Sequence, residues 1–202
     1  MRQTIEIGKN DERYAAMMSV AAEAMRAKNL RIVVRGAENR KDRIPSIKKY
    51  GLDFYVAGAI ADSCVFMGKY TEEEMAAACQ NTIRDARIIE IENAIYGAVP
   101  QTVDEWTPEV GEPKMYVLTN MTSCNGAGVM FCGELLEKIQ TKLDSDYYLL
   151  PSSIHEVIIV PDEGGYDREE LDAMVQTINA AEVDPRDRLA DHVYYYSDGK
   201  LA

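Results

Sequence analysis

The chain has 202 residues, 47% hydrophobic and 28% charged. This is an ordinary globular composition, enough for one large domain or two small ones. No apolar run reaches the roughly 18 residues of a membrane-spanning helix, and the N-terminal MRQTIEIGKNDER has no apolar signal core, so no membrane and a cytoplasmic location are expected. The net charge of −12 is uneven: residues 1–100 carry 15 Lys and Arg against 14 Asp and Glu, residues 101–202 carry 7 against 20. The second half therefore repels phosphates and anionic lipid and suits either solubility or a basic partner.

Residues 1–7 alternate weakly, as a short edge strand would. Residues 10–29 read as a helix, capped by Asn10 or Asp11, with Tyr14, Met17, Met18, Ala21, Ala24 and Met25 on one apolar face. Residues 30–35, LRIVVR, are a β-branched strand signal closed by Gly36. A basic stretch follows. Between Arg26 and Lys49 there are nine basic residues and two acids, and Pro45 and Gly51 make much of it loop. Arg40, Lys41 and Arg43 lie at its centre. A nucleic-acid contact is one reading, a solvated face or a complement to the acidic half the other; few aromatics are interleaved and the whole chain is acidic.

Residues 52–67 are apolar and ambiguous between strand and buried helix, strand being favoured at Phe54–Val56. Thr71 and Glu74 form a capping box for a helix with Met75, Cys79, Ile83 and Ala86 inward, ending near Arg87. Residues 88–99 either extend it or form a separate piece. Residues 100–114 hold three prolines, four acids and Trp106. They read as extended loop: either a boundary near residue 105, dividing a mixed α/β region (1–104) from an α+β domain (105–202), or a docking segment within one continuous domain.

In the second half, strands are predicted at 115–118, 126–132, 147–150 and 154–160, with helices at 134–143 and 168–181. A further short helix starts at Asp184-Pro185, and a last strand lies at 192–196. The tight Pro-Ser-Ser between the third and fourth strands implies a hairpin. The order ββαββα plus a C-terminal strand predicts an α+β fold with a mainly antiparallel sheet.

The segments MYVLTN, NGAGVM, GELLEKIQTKL, YYLLPSSIHEVIIVP and DHVYYY resemble an uncharacterised bacterial family, a domain of unknown function common in gut anaerobes. The resemblance covers roughly residues 115–196, and LPSSIHEVIIVP is its most specific part. It implies a cytosolic α+β protein of chromosomal or mobile-element origin and carries no activity.

Four groups of residues are candidates for chemistry. Ser153 and His155, with Asp191 as orienting acid and Gly126 and Gly128 as amide donors, have the residue types of a small Ser/His hydrolase, though there is no GxSxG elbow. Turn formation explains the serines equally. His155, Glu156, Asp191 and His192 are adequate metal ligands in type, but neighbours on a strand face opposite ways. The glycines of Asn125–Gly128 fit a hairpin turn better than a phosphate cradle. Tyr194 and Tyr196 share a strand face and fit a partner surface. No cofactor is implied. The four cysteines form no CxxC pair and read as free thiols. The leading expectation is a non-enzymatic binding or regulatory module. It would meet a protein partner, either a basic one or a second copy, through the acidic half. A hydrolase and a nucleic-acid contact through residues 26–49 are the alternatives.

Overall fold

The computed structural model describes the chain except residues 1–11, 25, 42, 43, 45, 61, 62, 109–113, 152 and 164. The predicted edge strand at 1–7, the caps Asn10 and Asp11, and Arg43 lie outside the described residues. The chain is α+β with antiparallel sheets. In the first sheet β3 (Leu52–Ile60) is central. One side pairs with β1 (Leu30–Arg35). The other pairs at its two ends with β2 (Ile47–Lys49) and β4 (Ser63–Phe66). Residues 52–58 are all buried, so both faces of β3 are covered. That explains a continuous apolar run where a half-exposed strand would alternate.

A helix, α1 (Glu12–Ala24), lies against β3 and β4. Its predicted apolar face is only partly used, since Met17 and Met18 remain about half exposed. A second helix, α2 (Glu72–Asp85), begins at the Thr71–Glu74 capping box. It ends two residues earlier than predicted. It also buries polar side chains, because it closes the free edge of β1. The Ile32 amide donates to Thr82 Oγ1, and Asn81 Nδ2 donates to the Leu30 carbonyl. A sheet edge needs such partners when no strand follows.

The second sheet has seven strands. Its order is β11 (Lys200–Leu201), β10 (Tyr194–Ser197), β8 (Tyr147–Leu150), β9 (Val157–Pro161), β7 (Tyr116–Asn120), β5 (Ala86–Glu90) and β6 (Gln101–Thr102). Strands β5 and β6 precede residue 105 and the rest follow it, so the sheet runs across that point. A short helix, α3 (Ile91–Ile95), leaves β5. Helix α4 (Gly133–Leu143) covers one side with Leu135, Leu136 and Ile139, joined there by the buried Trp106. Helix α5 (Arg168–Ala181) covers the other, packing Leu171 and Val175 on Leu150, Val160 and Val193.

Three local expectations are corrected. Residues 126–132 are not a strand: Gly126–Phe131 is a 3-10 helix whose first five residues are all buried. It packs so closely that a Cβ on Gly128 would sit 2.0 Å from the Ile32 carbonyl oxygen, and one on Gly126 2.4 Å from Thr119 Oγ1. Residues 184–187 are a turn and not a helix, because the Asp184 carboxylate accepts the Arg186 amide at 2.9 Å, an Asx turn that competes with helix. The strand predicted at 154–160 begins at Val157, so residues 151–156 form a longer connection than a tight hairpin turn.

Candidate functional site

His155, a candidate for both catalysis and metal binding, sits in that 151–156 connection. Its Nδ1 accepts the Asn125 amide at 3.3 Å, and its Nε2 faces Asp187 Oδ2 at 3.5 Å. The first contact needs a bare Nδ1, so the neutral ring carries its proton on Nε2, toward Asp187. The carboxylate facing His155 is therefore Asp187, while Asp191 accepts from Asn179 Nδ2 at 2.6 Å. Ser153 is buried, and its Oγ accepts the His155 backbone amide at 2.9 Å, the turn-forming role of a serine. The His155 carbonyl takes Thr119 Oγ1 at 2.7 Å and the Gly126 amide at 3.0 Å.

Asn125 stands at φ +53°, a left-handed position that asparagine tolerates. Its Oδ1 accepts from Arg35 at 2.9 Å. Burial lowers the Arg35 pKa, opposed by Cys64 and Asp187; burial likewise raises that of Glu156, opposed by His155. The motifs NGAG and SSIHE thus meet, but as a mutually satisfied polar joint in which the two glycines permit close backbone approach. Of the two predicted amide donors, Gly126 N–H is occupied by the His155 carbonyl.

The other predicted residues are dispersed. Tyr194 and Tyr196 are buried, 4% and 2% exposed, so an external partner face at these two side chains is corrected. Tyr194 OH donates to the Tyr50 carbonyl at 2.6 Å, and Tyr196 stacks on Tyr147. The alternation of a strand with one covered face turns both inward and leaves Tyr195 outward, where its hydroxyl reaches Asp162 at 2.7 Å. His192 is exposed, its ring 4.8 Å from that of Tyr194. Among the described residues no group of three or more His, Cys, Asp or Glu side chains could hold a metal ion.

The basic stretch is partly spent on internal contacts. Arg31 pairs with Asp85, and Arg26 and Lys28 pair with Glu23. Lys41 and Lys49 lie over the rings of Phe66 and Tyr50. Arg40 and Lys41 are exposed. Beside them a cleft of about 380 Å³ separates residues 36–39 and 51–52 from residues 188–192 and Tyr194.

The place with an unexplained surface is one that sequence reasoning missed. After α3 the chain makes a closed turn: Tyr96 N–H bonds to the Glu92 carbonyl, Gly97 N–H to Ala94 and Ala98 N–H to Asn93, with Gly97 at φ +77°. On this fixed backbone Ile95, Tyr96 and Val99 are 75%, 88% and 84% exposed. A cavity of about 170 Å³ lies beside them, with Trp106, Tyr116 and Ile89 in its wall. Among the described residues β6 pairs with β5 only at Arg87 and Ile88, so β5 has no outer strand beyond Ile88. From Ile88 to Thr107 the chain has four acids and no lysine or arginine. Glu92 is exposed beside the tip, while Glu90 is tied to Lys114, Asp104 to Lys138, and Glu105 accepts from Thr102 Oγ1 with Arg87 nearby. The signal available in sequence was three large apolar residues crowded around Gly97 and before Pro100, where turn chemistry favours polar ones.

No curated protein and no solved structure matches this chain. The sequence profile of a family of unknown function, DUF5688, matches residues 58–198, a span that holds His155, the α3 tip and the strands of the second sheet except β11, and the chain belongs to that family.

Proposed function

We propose that the protein is a binding module whose contact surface is the tip formed by Ile95, Tyr96 and Val99, and whose partner is a protein presenting an apolar cleft with a lysine- or arginine-rich rim. The observation that carries this is the exposure of all three side chains on a hydrogen-bonded turn. Exposing them to water is unfavourable by about 25 cal/mol per Å² of apolar area. A tyrosine flanked by aliphatic residues is the usual composition of an interface anchor. The rim charge follows from the exposed Glu92 beside the tip and from the net negative charge of the whole chain. Opposite charge on the partner speeds encounter and selects against acidic surfaces. The bacterial, cytosolic setting belongs to the same reading and rests on the resemblance of residues 115–196.

The test is a photo-crosslinking benzoylphenylalanine placed at position 96 in the full chain, with position 166 as a control on another exposed tyrosine. A heterologous crosslink that is specific to position 96, lost in Ile95→Ser/Val99→Ser and weakened in high salt supports the reading. A crosslink to a second copy of the chain overturns the partner, and crosslinks equal at both positions overturn the site.

A further inference from the structure

The cleft beside Arg40 and Lys41 has one wall from residues 36–39 and 51–52 and the other from residues 188–192 and Tyr194. At about 380 Å³ it is within the size range of small-molecule sites, and it shares no residue with the cavity at the α3 tip. Its two walls are joined by direct contacts. Asn39 Nδ2 donates across to the Pro185 carbonyl at 2.8 Å. Gly36 lies so close to the second wall that a Cβ there would stand 2.6 Å from the Arg188 carbonyl oxygen. Asp191 is fixed from behind: its Oδ1 accepts from Asn179 Nδ2 at 2.6 Å and its carbonyl from Gln176 Nε2 at 3.2 Å. Asn179 Nδ2 also donates to the Ala190 carbonyl at 3.0 Å. Asn179 is 2% exposed, and among the described residues its Oδ1 has no hydrogen-bond partner. Burying an amide with an unmet oxygen opposes folding. What this one achieves is the placing of a carboxylate on the wall of the cleft.

The polar groups on the walls are otherwise uncommitted. Among the described residues Glu38 makes no hydrogen bond or ion pair, and Asp191 Oδ2 has no partner. Arg188 donates through Nε alone, to the Val183 carbonyl at 3.1 Å, and among the described residues its two terminal nitrogens have no hydrogen-bond or ion-pair partner. Asp184, which feels the Arg188 charge, is already paired with Arg186. The remaining wall is apolar. Leu52 is buried, and the Tyr194 hydroxyl is engaged by the Tyr50 carbonyl, which leaves its ring as the contact surface. The His192 ring stands 4.8 Å from that of Tyr194.

We propose that this cleft binds a free α-amino acid with an apolar side chain, its ammonium on Asp191 and Glu38, its carboxylate on Arg188, and its side chain toward Leu52 and Tyr194. A cation and two carboxylates on the walls of one cleft select a molecule that carries both charges. An amine alone meets Arg188 as a like charge, and a carboxylate alone meets Asp191 and Glu38 in the same way. The planar fork of a guanidinium matches a carboxylate in shape as well as in charge. The buried Asn179 amide holds Asp191 in position before the ligand arrives, so little ordering is left for the binding step.

The experiment is calorimetric titration of the full chain with L-leucine, L-methionine and L-phenylalanine as probes. At least one should bind with a Kd of roughly 0.1 mM or tighter. Its amide, which lacks the carboxylate, and its deaminated acid, which lacks the ammonium, should each bind at least about ten-fold more weakly. Asp191→Asn keeps an acceptor for Asn179, and Arg188→Gln keeps a donor for the Val183 carbonyl. Each should weaken the amino acid about ten-fold with the melting temperature unchanged. In Asp191→Asn the preference for the amino acid over its deaminated acid should shrink, which a merely structural loss would not produce. If either variant does not fold, Glu38→Gln changes an exposed side chain that has no partner among the described residues, and should weaken binding about three-fold. No binding of any of the three probes at about 10 mM overturns the proposal, since sites of this kind are tighter. So does equal affinity for an analogue lacking either charge, affinity unchanged in the variants, or tighter binding of putrescine, which would make the cleft a site for cations.

Discussion

Around His155 the chain gathers histidine, serine, asparagine, threonine and arginine, and joins them to one another and to nearby backbone groups. At residues 95–99 it does the reverse, holding three large apolar side chains out in water on a closed turn. A concentration of polar residues in sequence draws attention as chemistry, yet buried polar groups in folded proteins are mostly satisfied internally. The informative residues are those whose surroundings contradict their type. By that measure the α3 tip, and not the histidine, holds the side chains whose surroundings contradict their type.

The sharpest way to break the comparison is at the joint's glycines. Gly128→Ala places a Cβ 2.0 Å from the Ile32 carbonyl oxygen, a backbone atom that cannot swing aside. The expected loss is about 3 kcal/mol or more of unfolding free energy, or failure to fold. Gly133→Ala is the control. It begins α4 with nothing within 4 Å of the new Cβ, and should be neutral or stabilising by up to about 1 kcal/mol. Urea unfolding of both variants settles the matter; equal stabilities would mean that the close approach at Gly128 is not what fixes the joint.

A middle-sized effect is expected at Tyr194. If it is a core residue whose hydroxyl serves the Tyr50 carbonyl, Tyr194→Phe costs about 1 kcal/mol and leaves partner crosslinking at position 96 unchanged. If it were a surface anchor, stability would not move and binding would. The same urea titration separates the two.

Much of the frame was legible in sequence where period and caps agree. Leu30–Arg35, Gly133–Leu143 and Arg168–Ala181 each have an apolar pattern of one period, and the Thr71–Glu74 box marks its helix start by side-chain chemistry alone. Gly126–Phe131 was misread because a segment buried on every side has no period to distinguish strand from helix. Ala86 and Arg87 read as the end of the α2 helix, and residues 88–99 as its extension or a separate piece, because the α2 stripe runs on into ARIIE; residues 86–90 are instead a strand, decided by β-branched pairing with β7. The tyrosines of β10 were correctly divided between two faces, but which face the sheet covers depends on α4 and Tyr50, far away in sequence. The Asp187–His155 contact was illegible for the same reason.

A smaller, pH-dependent effect tests the sheet end that leads away from both regions. The Asp146 carboxylate accepts from Ser197 Oγ at 2.7 Å, Gln140 Nε2 at 2.6 Å and Tyr195 OH at 3.3 Å. The Ser197 bond is the largest of the influences that hold its pKa below the ordinary aspartate value of 3.8. A depressed carboxylate stabilises the folded state above that value, and the stabilisation is lost as pH falls through the folded-state pKa. Solvent screening limits it to about 0.5 kcal/mol. Asp146→Asn should therefore lower stability slightly at pH 7 and flatten the decline below pH 3.8; an unchanged acid limb would show that these bonds do not persist in solution.

The smallest expected effect on stability is the most telling. Ile95→Ser, Tyr96→Ser and Val99→Ser remove side chains that are already in water, so each should change unfolding free energy by less than about 0.5 kcal/mol, the range for surface sites. A core residue of the same size would lose several times that. If the triple variant melts with the wild type, and Ile95→Ser/Val99→Ser removes the crosslink from position 96, the tip's apolar area serves contact alone. If instead the variant is destabilised by 2 kcal/mol or so, a loss typical of buried apolar side chains, the three side chains pack against the protein in solution. The contrast with the His155 joint would then disappear.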